Sequence, residues 1–339
     1  MPLLAPPSPR RSQRHWRLGV GVLLSVIACG LMAKRIDVAR TVTLLGRANY
    51  AWLVPNVVVT ILAMTVRAHR WRALLEERVS AWRAFHVGNA GDLLNNVLPM
   101  RLGEVARAYL LGRNGDVSAM QALSTIAVER LLDVLTVFGF LLAVLPFVPA
   151  DRIFIRAGAV TAAIACGCVL VLFAAASRRE SLVARAHGIL AWVPGRVRDP
   201  TLRHVDEFLR GVHAIGTRRF IVCVSWSIAE WASWVGADWM LLFAFDTNAT
   251  WSMGVFVTCA IALGLAIPSA PSGAGIYEAA AVAALALFGV PGDIALAYGL
   301  VLHLSNFGVA VLTGVWGLHT EGQTLAGVAT EARKLQPAA

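Results

Sequence analysis

The chain has 339 residues, of which 58% are hydrophobic and 15% are charged. Because a soluble domain usually carries about 25% charged residues, this composition excludes an ordinary soluble globular enzyme. The formal net charge is +10. Arginine accumulates in the cytoplasmic loops of membrane proteins, so the charge favours a membrane protein over one that binds nucleic acid.

Long apolar runs predict an all-α polytopic membrane protein. A hydrocarbon core about 30 Å thick is crossed by roughly 20 helical residues. Six runs are interpreted as spans, and they lie near Leu18–Ala33, Asn49–Val66, Ala119–Leu145, Ile153–Ala176, Phe220–Phe245 and Ile294–Leu318. The first run is short. Because Lys34 and Arg35 follow it without a small-residue cleavage site, we interpret it as an uncleaved anchor.

Two further apolar stretches, Phe85–Gly112 and Trp251–Val290, are interrupted by proline, glycine and charge. Proline removes an amide donor and glycine loosens the backbone, so neither stretch is expected to form one continuous helix. Non-helical backbone at membrane depth requires protein or a watery cavity around it. We therefore predict two re-entrant hairpins, the first entering from the cytoplasmic side and the second from the outer side.

The basic loops predict the orientation. The segment 177–219 has nine arginines against four acidic residues and is placed in the cytoplasm, together with Arg67–Arg83 and both termini. The basic segment Lys34–Ala48 would lie outside, against the rule, and is outweighed by the agreement of the others. The predicted division is a basic cytoplasmic tail at 1–17, a transmembrane domain at 18–318 and a cytoplasmic tail at 319–339.

The transmembrane domain divides into two halves, about 18–149 and 150–318. Each half contains two spans, a broken hairpin and a further span, and the halves insert with opposite orientation. Interrupted segments at corresponding places in an inverted repeat are typical of a transporter binding site. The alternative is that two Pro/Gly breaks arose by chance in an alanine-rich membrane protein.

Charged residues inside the third predicted span are the first candidates for function. Glu129, Arg130 and Asp133 each cost roughly 2.5–3.5 kcal/mol to insert, so they require a compensating role. Glu129 lies about 15 Å along the helix from Ala119, near the middle of the bilayer. These charges fit either a substrate site or a structural ion pair that holds neighbouring helices together.

The first break carries Arg101, Glu104 and Arg107. Arginine binds phosphate oxygens through its planar fork, so a lipid phosphate is the natural ligand. An interfacial Arg–Glu pair without a ligand is the alternative.

The second break carries Ser272, Gly273, Gly275 and Glu278. Its glycine amides are expected to form a second anion cradle. No Walker sequence is present.

Further polar residues are candidates for lining a cavity, and they are Asn96, Glu230, Asp238, His303 and Asn306. A lone histidine among apolar residues is more often a packed, hydrogen-bonded group than a switch. No Gly-x-Ser-x-Gly elbow or His-Glu-x-x-His helix occurs in the sequence. We therefore predict no catalytic residue, no metal ion and no cofactor.

Three motifs occur in order along the chain: NNVLPMRLGEVAR at 95–107, VERLLD at 128–133 and PSAPSGAGIYE at 268–278. They resemble the signatures of the lysylphosphatidylglycerol synthase transmembrane-region family, also called flippase-like membrane proteins. The segment RAHRWR at 67–72 is similar to an Arg-Trp element that ends an early span in that family. The likeness covers most of Leu18–Leu318.

In some members of that family a soluble domain makes lysylphosphatidylglycerol. The present sequence ends soon after Leu318, so we expect no such domain and no synthase activity. The resemblance implies a flippase that moves a polar phospho- or glycolipid between leaflets of the bacterial inner membrane, with the head group bound by the residues of the two breaks and the third span. Relatives often carry arginine where this chain has His303, which is a departure from the family pattern.

The expected partners are membrane lipids, either an anionic phospholipid or a lipid-linked glycan, with an envelope-biosynthesis enzyme as a further candidate. Two other functions stay open at this level. The first is a membrane-embedded transferase acting on a lipid-linked substrate, with a general base among Glu104, Glu129 and Asp133. The second is a non-catalytic partner of an envelope enzyme. The sequence identifies neither the lipid nor the oligomeric state.

Overall fold

The computed structural model describes residues 22–32, 36–97, 102–113, 115, 117–189, 192, 194–196, 198–199, 202, 216–245, 247–267 and 270–335. Within these ranges the chain is helical and contains no strand. Five helices there are long and apolar enough to cross a membrane: Tyr50–Leu74, Gln121–Phe147, Arg152–Ala176, Arg218–Phe245 and Gly292–Thr320. The prediction of an all-α polytopic membrane protein is confirmed.

The first half of the chain contains both long and short helices. They are α1 (Val22–Met32), α2 (Val38–Arg47), α3 (Leu53–Leu74), α4 (Ala81–Val97), α5 (Leu102–Arg113) and α6 (Ala119–Val144). The first predicted span lies partly outside the described residues, and α1 is its described part. Helix α6 begins after Ser118, whose hydroxyl accepts the Gln121 amide hydrogen at 3.1 Å, as is typical of a capped helix start.

The second half repeats this order. Its helices are α7 (Arg152–Ser177), α8 (Arg179–Ile189), α9 (Gly216–Leu242), α10 (Trp251–Gly264), α11 (Ile276–Ala286), α12 (Gly292–Thr320) and α13 (Leu325–Leu335). Helix α13 falls in the predicted cytoplasmic tail 319–339. It packs on the rest of the protein, because Val328 and Ala332 are buried and α13 contacts α5. The side of the membrane on which it lies stays a prediction.

Each predicted break separates two short helices. The first hairpin joins α4, with 17 residues, to α5, with 12 residues. The second joins α10, with 14 residues, to α11, with 11 residues. Every arm is shorter than the roughly 20 residues that cross a bilayer. The arms therefore have the length of re-entrant segments, and the side from which each hairpin enters stays a prediction.

Corresponding helices of the two halves make corresponding contacts. Helix α3 packs against its counterpart α9, and α4 packs against α12 just as α10 packs against α6. Within the halves, the pairs α4–α5 and α5–α6 are matched by α10–α11 and α11–α12. A two-fold internal repeat requires this pattern of pairs. The opposite insertion of the two halves stays a prediction.

The predicted end of the second span is wrong. The span was expected to end near Val66, before the segment Arg67–Arg83 that was placed in the cytoplasm, whereas α3 continues as far as Leu74. The side of the membrane on which the rest of this segment lies stays a prediction. The sequence contains no glycine or proline between Pro55 and Ser80 that would end the helix. The extension is tolerated in the interior because acidic side chains of α4, α6 and α9 compensate its arginines.

Candidate functional site

Arg70 lies at the centre of the buried charges. Its side chain is 0% exposed, and its guanidinium nitrogens lie 3.1 Å from Glu129, 2.7 Å from Asp133 and 3.1 Å from Glu230. It also donates a hydrogen bond to the Ser227 hydroxyl at 3.0 Å. The three carboxylates come from α6 and α9, so this one arginine joins α3 to both helices.

Arg107 of α5 approaches the same cluster from the first hairpin. It donates to the second carboxylate oxygen of Glu129 at 2.7 Å, and its guanidinium lies 3.9 Å from the ring centroid of Trp71. Room for its stem exists because α4 has glycine at position 91. A Cβ atom there would come within 2.5 Å of Arg107 Cγ and within 2.9 Å of the Gly103 carbonyl oxygen.

Arg130 and Glu104 form the more exposed edge of the cluster. Arg130 Nε lies 3.1 Å from Glu104 Oε1, and Arg130 Nη1 donates to Asp133 at 3.1 Å. The indole N–H of Trp231 donates to the same Asp133 carboxylate at 3.2 Å. The Arg130 side chain is 43% exposed, so this edge is the least enclosed part of the cluster.

Arg67 extends the cluster toward α4. Its guanidinium pairs with Asp92 and donates to the Asn89 side-chain oxygen at 3.1 Å. We call the whole set the arginine–carboxylate cluster, and it consists of Arg67, Arg70, Arg107, Arg130, Asp92, Glu104, Glu129, Asp133 and Glu230. Burying an ion costs several kcal/mol unless it is paired and hydrogen-bonded. The density of pairs explains how four arginines are accommodated within a bundle of apolar helices.

Some buried donors of the cluster have no hydrogen-bond partner. Arg107 is 1% exposed, yet its Nε and Nη1 donate to no atom of the described residues, and Arg70 Nε is in the same position. A buried donor left unpaired costs about 1–3 kcal/mol or more. The free face of Arg107 is therefore a position at which an acceptor would be stabilising.

Arg107 also lines a narrow cleft that is too tight to hold a water molecule. Its walls come from α3, α4 and α5, and the lining residues are Met64, Arg67, Ala68, Trp71, Ala84, Phe85, Gly88 and Arg107. The cleft combines two arginines with an apolar and aromatic wall. Ligand pockets usually measure about 300–1,000 Å³, and this cleft has no room even for water. The helices α4 and α5 would therefore have to move away from α3 before a head group could enter.

The second break forms a separate polar group. Glu278 Oε1 lies 2.7 Å from His303 Nδ1, and the ring of Tyr277 is stacked on the imidazole with centroids 4.5 Å apart. Asn306 donates to the Tyr277 hydroxyl at 3.0 Å. The structure therefore brings His303 and Asn306 to the second break, and not to the arginine–carboxylate cluster.

The predicted anion cradle at the second break is wrong for this structure. The Gly273 amide donates to the Ala270 carbonyl at 2.9 Å, and the Gly275 amide donates to Glu278 Oε2 at 2.7 Å. The amides are thus used within the turn, and a carboxylate occupies the place where an anion was expected. Ser272 adopts a left-handed φ of 58° in this turn.

The remaining predicted residues are distributed as follows. Glu230 belongs to the cluster, whereas Asp238, two turns further along α9, accepts a hydrogen bond from Thr258 at 2.7 Å. Asn96 is half-buried at the end of α4. Arg101 lies outside the described residues.

Comparison with known proteins gives the family. The sequence profile described as the lysylphosphatidylglycerol synthase TM region matches residues 18–314. The chain belongs to this family.

Three relatives of this lysylphosphatidylglycerol synthase TM-region protein are similar over different lengths. The chain is 30% identical to glycosyltransferase AglD of Haloferax volcanii over 135 residues, which are 38% of this chain and only 21% of that protein. It is 24% identical over 229 residues to a UPF0104 membrane protein of Methanocaldococcus jannaschii, covering 65% of this chain and 91% of the relative. A UPF0104 membrane protein of Methanothermobacter thermautotrophicus is 25% identical over 264 residues, or 74% and 78% of the two chains.

Three cluster residues of this family member were not among the predicted site residues, namely Arg67, Arg70 and Asp92. The two arginines were assigned to a loop on the strength of their charge. Helical spacing was the signal that could have placed them, because positions 67, 70, 71 and 74 share one helix face.

Proposed function

We propose that this protein moves a polar phospho- or glycolipid between the leaflets of the membrane. The observation that carries the proposal is Arg107, which has two buried donor atoms without a partner among the described residues and which lines a cleft together with Arg67 and apolar side chains. Phosphate and sugar hydroxyl oxygens are acceptors that a guanidinium fork binds well. The lipid tails would stay in the bilayer while the head group passes the cluster.

The cluster has the composition needed to exchange one set of partners for another. Arg107 already binds Glu129, which also binds Arg70, so a head-group oxygen that engages Arg107 competes with an internal carboxylate. Such competition keeps the interior paired both with and without the lipid. It also supplies the differential interaction that a change between two conformations requires.

A second candidate function is favoured by one comparison. The partial relative is named a glycosyltransferase, which supports a membrane-embedded transferase that uses a lipid-linked substrate. In that case Glu104, at the more exposed edge of the cluster, is the candidate general base because its side chain is 27% exposed. A transferase yields a chemically new lipid, whereas a flippase yields the same lipid in the other leaflet.

A leaflet assay separates the two functions. The purified protein is reconstituted into liposomes with fluorescent anionic phospholipids and glycolipids, and a membrane-impermeant quencher reports the outer leaflet. We expect wild type to transport at least one of these lipids and Arg107→Gln to lose that transport. Arg113→Gln is the matched control, because Arg113 is an exposed arginine of the same helix.

Three outcomes are informative. Loss of transport in Arg107→Gln, with Arg113→Gln active and both variants folded, supports the proposal. Equal transport by Arg107→Gln and wild type contradicts the proposed site. A new lipid species in thin-layer chromatography of the same samples favours the transferase.

A further inference from the structure

We propose that Glu278 and His303 form a proton-binding site that couples proton movement to lipid transport; this inference rests on the function proposed above. The pair lies at the second break, away from the arginine–carboxylate cluster. It supplies a driving force that the cluster itself does not provide.

The geometry is that of a shared proton. Glu278 Oε1 and His303 Nδ1 are 2.7 Å apart, and the side chains are 8% and 13% exposed. His303 lies 11 positions into α12, about 16 Å along the helix axis from Gly292. Among the described residues no arginine or lysine pairs with Glu278, so His303 is the group that can neutralise it.

Electrostatics limits this pair to two relevant states. With an imidazolium beside the carboxylate the pair is neutral, which burial favours. When the imidazolium gives its proton to water on one side, the pair becomes an uncompensated carboxylate with charge −1, and that state favours a conformation that admits water. Uptake of a proton from the other side restores the neutral pair. Imidazole exchanges protons in the physiological pH range, which suits such a cycle.

The nearest neighbours of the pair on α11 and α12 are neutral or weakly acidic. Tyr277 stacks on the imidazole, Asn306 binds Tyr277, and the hydroxyl of Tyr298 donates to the backbone carbonyl of Asp238 at 2.9 Å. These groups do not replace the imidazolium as a counter-charge for Glu278.

The charged and polar groups that other helices bring to α12 have hydrogen-bond or ion-pair partners other than Glu278 and His303 among the described residues. From α9, the Asp238 carboxylate is bound to Thr258 of α10. From α3, Asn56 accepts from the Ser305 hydroxyl at 2.8 Å. From α2, Arg40 pairs with Asp293 at the start of α12, 2.6 Å away. From α4, Arg83 pairs with Glu321 beyond the other end of α12.

Glu278 also holds the turn of the second break. Its Oε2 accepts the Gly275 amide hydrogen at 2.7 Å, and hydrogen bonds to an ionised acceptor are roughly twice as strong as neutral ones. The 3-10 turn Pro271–Gly273 in the same break packs against α4. A change in the net charge of the Glu278–His303 pair therefore acts on the contact between the second break and the hairpin that carries Arg107.

The experiment measures the steady-state ratio of a fluorescent lipid between leaflets, with a pH gradient imposed and the membrane potential clamped at zero. One proton per lipid shifts this ratio by up to about tenfold per pH unit. We expect wild type to build such a ratio. We expect His303→Arg, whose side chain cannot release a proton, to equilibrate the lipid at a ratio near one. His187→Arg, at an exposed histidine of α8, should behave as wild type.

Transport by wild type that ignores the pH gradient overturns the coupling and leaves the proposed function intact. If wild type moves no lipid, the proposed function fails and the proton site is decided separately by NMR of histidine-labelled protein in micelles. A titrating imidazole signal that His303→Arg removes and Glu278→Gln shifts supports the site. A His303 signal that does not titrate overturns it.

Discussion

Replacing Arg70 by methionine is expected to destabilise the protein strongly. The substitution keeps much of the side-chain length but removes the cation that contacts three carboxylates within 3.1 Å. Removing one partner of a buried ion pair typically costs about 3–5 kcal/mol. With an unfolding entropy of about 2.1 cal/mol/K per residue over 339 residues, this corresponds to a Tm lower by about 4–7 °C.

The assay is thermal unfolding of the purified protein in detergent, followed by size-exclusion chromatography of heated samples. Arg72→Met is the matched control, because Arg72 lies two positions along the same helix and its side chain is 36% exposed. Among the described residues it pairs with the exposed Glu77, and such surface pairs contribute about 0–1 kcal/mol. Equal Tm values for the two variants would refute the role assigned to Arg70.

Two further predictions concern packing and pH. Gly91→Ala should lower the Tm because the added Cβ collides with the stem of Arg107. Gly139→Ala is the control and should leave the Tm unchanged or raise it, because the space around Gly139 is open. A stabilised Gly91→Ala variant would contradict the packing described. The hydrogen bond from Arg78 lowers the pKa of Glu76 in the loop after α3. The ionised Glu76 carboxylate should therefore contribute to stability above the ordinary glutamate pKa of about 4.3. This contribution should be lost as the pH falls through the lower pKa of Glu76 in the folded protein. The Tm difference between wild type and Glu76→Gln, measured from pH 7 to pH 3, should shrink toward acid, and a constant difference would contradict this.

Composition and run length were sufficient to predict the membrane class, since a helix must satisfy its own backbone in lipid. They did not place the end of the second span. Hydropathy falls after Val66 because arginines follow, while the helix continues because its charges meet carboxylates on α4, α6 and α9. Those partners are distant in sequence, and no local pattern of α3 indicates them.

The candidate site was predicted only in part, again because its residues are distant from one another in sequence. Glu129, Arg130 and Asp133 stood out as charges within an apolar run, and Arg107 stood out beside a break. The helices bring these residues together around Arg70, which was predicted to lie in a loop. Glu230 and Asp238 show that residue type alone does not predict which acid joins the cluster. Both are acids of α9, but only Glu230 faces Arg70, while Asp238 faces Thr258.

At the second break the sequence identified the turn but not its hydrogen bonds. Glycines at 273 and 275 suggested free amides, and the left-handed φ values of 81° and 84° confirm that glycine is needed there. The carboxylate three positions later reaches back to Gly275, as acidic residues in a first helical turn often do. The Glu278 carboxylate therefore caps the turn where an anion was expected to bind, and its other oxygen contacts His303.

The proposed transport is tested most directly by asking whether the cleft beside Arg107 must open for lipid to move. In a background without the five native cysteines, Met64→Cys on α3 and Phe85→Cys on α4 would be joined by a short cross-linker across the cleft that both residues line. Cross-linking should stop movement of the fluorescent lipid in liposomes, and cleaving the cross-linker should restore it. Unchanged transport with the cleft locked would contradict the proposed role of the cleft.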